Sequence, residues 1–136
     1  MHTTNYFNTF IAVAEDCPVT TAAIPPDKGR TKTVAGWQFD IIYNNPYQFT
    51  SDDVLFKIHA LRNNIAAKDM AKERENFFSK GQACLRSSPL GKRYGWGIHC
   101  NEEGKVALYA MESEEYKKFV KDKKLAQKKA MRSKKG

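Results

Sequence analysis

Apolar positions along the chain fall into short runs whose spacing changes several times. In residues 6–14, Phe7, Ile11 and Val13 share a face at period two among β-forming neighbours, which predicts a strand. Residues 15–30 hold Pro18, Pro25, Pro26 and Gly29 and read as a loop. From 33 to 44 the period becomes helical, with Val34, Trp37 and Ile41 at i, i+3 and i+7, Gln38 and Ile42 beside them, and a stop at Asn44-Asn45-Pro46. Residues 54–61 alternate Val54, Phe56, Ile58 and Ala60 against Leu55, Lys57, His59 and Leu61, and predict a second strand. The preceding Thr50-Ser51-Asp52-Asp53 is also a helix-capping sequence. Helix formers dominate 67–79, with Met70 and Phe77 seven apart beside Ala71 and Phe78, and Gly81 as a stop.

After a loop at 82–92, residues 93–109 predict a hairpin. Asn101-Glu102-Glu103-Gly104 has Asn first and Gly fourth, the signature of a type I turn closed by a left-handed glycine bulge. Asn101 then pairs with Lys105, so partners sum to 206. Cys100, Ile98 and Trp96 meet Val106, Leu108 and Ala110 on a uniformly apolar face, which belongs against the core. The opposite face carries Gly95, Gly97, His99, Lys105 and Tyr109. A last helix opens at Ser113, with Glu114 and Glu115 in its positive first turn and Tyr116, Phe119 and Val120 towards the domain. The order β-α-β-α-β-β-α predicts an α+β fold: one domain with an antiparallel or mixed sheet and helices packed mainly on one face.

Charge changes this picture only at one end. The net charge is +8, yet ten of the 23 bases and one of the 15 acids follow Tyr116. The tail carries +9 and residues 1–116 carry −1, so the high isoelectric point gives no ground for a nucleic-acid face on the fold itself. We therefore expect a domain over 1–120 and a basic extension over 121–136. Residues 117–136 offer phosphate contacts to nucleic acid, without an aromatic after Phe119 for stacking on bases. The alternative is a solvated end that aids solubility; Leu125, Ala126, Ala130 and Met131 also suit a continued helix.

The three cysteines, Cys17, Cys84 and Cys100, form no CxxC and no zinc-ligand spacing, so no metal site is expected. No basic-then-apolar leader follows Met1, and no apolar run nears the roughly 20 residues of a membrane helix. These features predict a cytoplasmic protein with reduced thiols and no membrane association.

Candidate chemistry gathers around the hairpin. Two glycines in one strand imply a close approach, either a ring or helix packed on the strip or a ligand cleft edged by His99 and Tyr109. His99 has the side chain best suited to proton transfer near neutral pH. Cys84 with His99 would make a minimal nucleophile pair for a small hydrolase or transferase. Arg86 and Arg93, with Lys105 and Tyr109, would hold an anionic small molecule. Asp52 and Asp53 suit a turn or cap. No phosphate-binding glycine loop, GxSxG or HExxH occurs.

The strings Asp-Asp-Val-Leu-Phe at 52–56, Phe-Phe-Ser-Lys-Gly-Gln at 77–82, Cys-Leu-Arg-Ser-Ser-Pro-Leu at 84–90, Lys-Arg-Tyr-Gly-Trp-Gly-Ile-His at 92–99 and Ala-Met-Arg-Ser-Lys at 130–134 are assembled here over nearly the whole chain. In this the chain resembles a family of small, mostly bacterial single-domain proteins known only as a domain of unknown function. The resemblance implies a stand-alone domain in which 130–134 is part of the shared pattern. It brings no activity, cofactor or catalytic residue. The leading expectation is a small-ligand or partner-binding module using the 84–99 loop and hairpin.

Overall fold

A computed structural model describes residues 2–26 and 32–133. Gly29 of the proline-rich loop and Lys134 and Lys135 of the tail lie outside those residues. The described residues build a four-stranded mixed sheet in the order β3-β2-β1-β4, with five helices. Strands β1 (Thr9–Ala12), β2 (Trp96–Cys100) and β3 (Val106–Ala110) are antiparallel neighbours; β4 (Ala126–Lys129) runs parallel to β1.

The hairpin register is the expected one. Trp96 faces Ala110, Gly97 faces Tyr109 and His99 faces Ala107, all summing to 206. Gly104 has a φ of +80°, the left-handed geometry that the bulge requires and that side chains resist. Asn101 fastens the turn, its side-chain oxygen accepting from the N–H groups of Glu103 and Lys105. Trp96 points into the core and donates from Nε1 to the Ala23 carbonyl, 2.9 Å away.

Helix α1 (Val34–Tyr43) is N-capped by Thr33. Of its expected stripe, Gln38, Ile41 and Ile42 are buried and Trp37 packs against the core; Ala35 and Phe39 join them, while Val34 is exposed. The strand expected at 54–61 is instead helix α2 (Ser51–Arg62), opened by a capping box between Thr50 and Asp53. The alternation that suggested a strand is real but has another cause. Val54 and Ile58, four apart, enter the main core; Phe56 and Ala60, also four apart, enter a second cluster with Phe78. A helix buried on two opposite sides shows inward residues at every second position, and so imitates period two.

Helix α3 (Met70–Phe77) follows a 3-10 turn at Ala67–Asp69, and a single helical turn α4 (Pro89–Lys92) starts at its cap Ser88. The main core lies between one sheet face (Ile11, Trp96, Ile98, Cys100, Val106, Leu108) and α1, α2 and Leu90 of α4. On the other face lies α5 (Glu114–Lys121), capped by Ser113 as the sequence predicts, with Tyr116 and Phe119 inward and Val120 exposed.

Part of the segment set apart by its charge is sheet. The helical continuation expected through Leu125 and Ala126 is replaced by β4, whose four residues are all exposed and whose order comes from the backbone. Ala126 and Ala130 donate their N–H groups to the Asn8 and Ala12 carbonyls. Arg86 closes the outer edge: its Nε donates to the Lys129 carbonyl and its own carbonyl accepts from Met131 N–H. Tertiary pairing here overrides a sequence rich in helix formers.

The N-terminal segment is tied to α2. Thr3 Oγ1, Thr4 N–H and Thr4 Oγ1 all donate to the buried Asp52 carboxylate at 2.7 Å. Asp53 pairs with Arg74 at 2.9 Å. Partial burial opposes its charge, but the Thr50 N–H and Arg74 outweigh this and hold the carboxyl below its ordinary range. The two acids are thus anchors.

Candidate functional site

The glycine face of the hairpin is closed. A Cβ on Gly97 would stand 2.6 Å from both Phe10 Cζ and Tyr116 Cε2, so the close approach is made by aromatic rings of the protein itself. The Tyr116 hydroxyl accepts from Val13 N–H, clamping α5 to the end of β1. Phe119 stacks on His99 with centroids 4.4 Å apart and tilts against Tyr109 at 4.8 Å.

Beneath α5 runs a chain of polar groups. The Tyr47 hydroxyl lies 2.7 Å from the Tyr109 hydroxyl and 2.8 Å from His99 Nδ1. Burial depresses the His99 pKa, with the Asp122 carboxylate pulling weakly the other way. A neutral imidazole accepting at Nδ1 lets Tyr109 donate to Tyr47 and Tyr47 donate to His99, which pairs both hydroxyls and Nδ1 in one row. Burial, with the Tyr109 hydrogen bond, raises the Tyr47 pKa. Tyr47 has a φ of +59°, a left-handed conformation that costs a tyrosine on the order of 1 kcal/mol. Its N–H holds the place by donating to the Val106 carbonyl on the outer edge of β3.

Cys84 belongs to the other side of the sheet. It precedes a 3-10 turn at Leu85–Ser87 whose Leu85 is in the main core, and its Sγ lies 3.4 Å from the Tyr6 hydroxyl. That thiol is the leading cause of the raised Tyr6 pKa. The structure does not bring Cys84 and His99 together. Arg86 is spent on the β4 edge, Lys105 lies 3.7 Å from Glu103, and Arg93 is exposed beyond the end of α4. Tyr109 is bound into the row under α5. Neither the Cys84–His99 pair nor the group of Arg86, Arg93, Lys105 and Tyr109 thus lies at one place in the fold.

A cleft of about 570 Å³ lies where α1, α2 and segment 82–89 meet. Of the expected residues it contains only Cys84. Leu55, Ile58, Phe77 and Pro89 form apolar walls, and Gln38, His59, Arg62, Asn63, Gln82 and Ser87 supply polar groups. Leu55, His59 and Arg62 stand at i, i+4 and i+7, one face of α2. Read as a strand, the same stretch hides that face; Thr50-Ser51-Asp52-Asp53 was the signal that could have found it.

The polar groups are already partly committed. Gln82 Nε2 donates to the Phe77 carbonyl and Ser87 Oγ to the Cys84 carbonyl, each at 2.8 Å, which leaves their oxygens as acceptors. Asn63 Nδ2 donates to the His59 carbonyl at 2.8 Å and lies 3.3 Å from His59 Nδ1. With a donor facing Nδ1, the ring proton sits on Nε2. A second hollow, about 750 Å³, lies between α2 and α3 around Phe49, Phe56 and Met70, with Arg74 at its wall committed to Asp53. Among the described residues no group of acids, histidines and cysteines has metal-binding geometry, and no helix is long and apolar enough to cross a membrane.

These features define a small single-domain α+β protein with one sheet face sealed and a polar cleft among the helices of the other. The chain belongs to a family of unknown function, DUF6157, whose profile matches residues 1–136. No curated protein and no solved structure matches it.

Proposed function

We propose that this chain is a small-ligand-binding module whose site is the cleft between α1, α2 and segment 82–89. The observation that carries this reading is the convergence of polar side chains from three separate chain segments on apolar walls. That is the usual composition of a small-molecule site, and the volume falls in the usual range. A fragment screen by ligand-observed NMR tests it, using the intact chain and an Ala83→Trp variant. Ala83 is exposed and lines the cleft, so the indole fills the opening without disturbing the core. Hits that bind the native chain and lose binding in the variant support the reading. Hits indifferent to the variant, or no hits, sink it.

A second reading is polyanion binding on the side of α5 and β4. It is favoured by Lys118, Lys121, Lys123, Lys124 and Lys128, none of which meets an acid within ion-pair distance among the described residues. Binding of single- or double-stranded DNA that weakens steeply with salt supports this reading. Salt-indifferent binding argues against it.

A further inference from the structure

The orientation of one buried amide says what the cleft lacks. Ser88 Oγ accepts from Leu90 N–H as the cap of α4, so its own proton must go elsewhere. It goes to Gln38, which therefore presents Oε1 to Ser88 and turns Nε2 away. Gln38 is only 4% exposed, and its Nε2 has no acceptor among the described residues. Every fully enclosed side-chain nitrogen or oxygen among the described residues does have a partner. Gln38 Nε2 must then reach an opening, and the opening that Gln38 lines is the cleft. A nearly buried amide donor is thus left facing the cleft, and such groups favour an acceptor strongly.

The rest of the lining leans the same way. His59 adds an Nε2–H donor. Arg62 adds a guanidinium with no acid partner among the described residues, and no Asp or Glu lines the cleft. A cationic ligand would find no carboxylate here. Gln82 and Ser87 add acceptor oxygens that a ligand hydroxyl can use, but the formal charge on the lining is positive, from Arg62, and much of the wall is apolar.

We infer that the cleft takes a small organic oxyanion on an apolar body, with one oxygen accepting from Gln38 Nε2 and its charge towards Arg62. The inference rests on reading the cleft as a ligand site. A carboxylate and a phosphate monoester share this chemistry, and the apolar body fits against Leu55, Ile58 and Phe77. Arg62 also stands in the last turn of α2, where a cation balances the carbonyl end of the helix, so charge must be tested against matched neutral probes.

The experiment follows the Gln38 side-chain amide pair in 1H–15N spectra while hexanoate, benzoate or phenyl phosphate is added. Hexanamide and benzamide serve as size-matched neutral probes. At least one anion should shift the Gln38 pair saturably, with its neutral counterpart about tenfold weaker. Arg62→Gln, an exposed substitution, should weaken the anion by about tenfold and leave the neutral probe unchanged. Preference among the acids separates carboxylate from phosphate. Neutral probes binding as tightly as the acids, or Arg62→Gln without effect, overturn the inference and leave the cleft as a ligand site. If no probe moves any resonance of the cleft, both readings fall.

Discussion

The two faces of the sheet treat their polar residues in opposite ways. Under α5, Tyr109, Tyr47 and His99 Nδ1 are joined in one row and Phe119 packs on His99 and Tyr109, so most of the conspicuous chemistry in the sequence is engaged internally. On the other face, ordinary residues from separate segments (Gln38, His59, Arg62) leave donors facing a cleft. Suitability for chemistry is thus a matter of what remains unsatisfied, and residue type alone does not reveal it.

The sharpest way to break this contrast is at Gly97. Gly97→Ala places a methyl group 2.6 Å from the Phe10 and Tyr116 rings, and should destabilise the fold by about 3 kcal/mol in urea denaturation. Tolerance of alanine would mean that α5 does not seal the face. Tyr47→Phe comes next, removing the hydroxyl that links Tyr109 to His99, with an expected loss of about 2 kcal/mol by the same measurement.

Titration separates the same regions by pH. His99 is half-buried and its folded pKa is depressed, so the unfolded chain takes up the proton more readily. Its contribution is therefore full above the ordinary value of about 6.5 and declines as pH falls through that value towards the folded pKa. Asp53, also depressed, supports the fold above the ordinary carboxylate value of about 4 and loses that support only in stronger acid. Melting temperature against pH should show both steps. His99→Asn should remove the first step, and Asp53→Asn should shrink the second, to which the lowered Glu15 and Glu112 also contribute.

The mildest test uses thiol chemistry. Burial pushes the Cys100 thiol up to about 12, whereas Cys84 is part-exposed at the cleft. Maleimide should label Cys84 on the order of a hundredfold faster than Cys100 in the native state, as mass spectrometry of the peptides would show. Equal rates would mean that the core face opens as readily as its cleft.

How much of this was legible depended on how local each signal is. The hairpin register followed from four turn residues, because a glycine bulge fixes pairing by itself. The caps Thr33 and Ser113 were equally local. Helix α2 was not, since its two apolar rows serve two cores and only together imitate a strand. That single misreading concealed the His59–Arg62 face and with it most of the cleft. Strand β4 was invisible for another reason: its side chains are all exposed, and its order comes from Asn8, Ala12 and Arg86, far away in the chain. Gln38 was out of reach too, because its importance depends on which way Ser88 turns it.

The pairing of β1 with β4 also carries a kinetic consequence. Strand β1 has its two neighbours in β2 and β4, both far along the sequence from it, so neither ladder can form until that later chain is present. Helices α1 to α3 emerge well before their sheet exists, with apolar surface that nothing yet covers. Contacts of such long sequence separation slow folding. The sheet therefore closes only once β4 is available to β1, and the helices between them must hold their apolar faces until then.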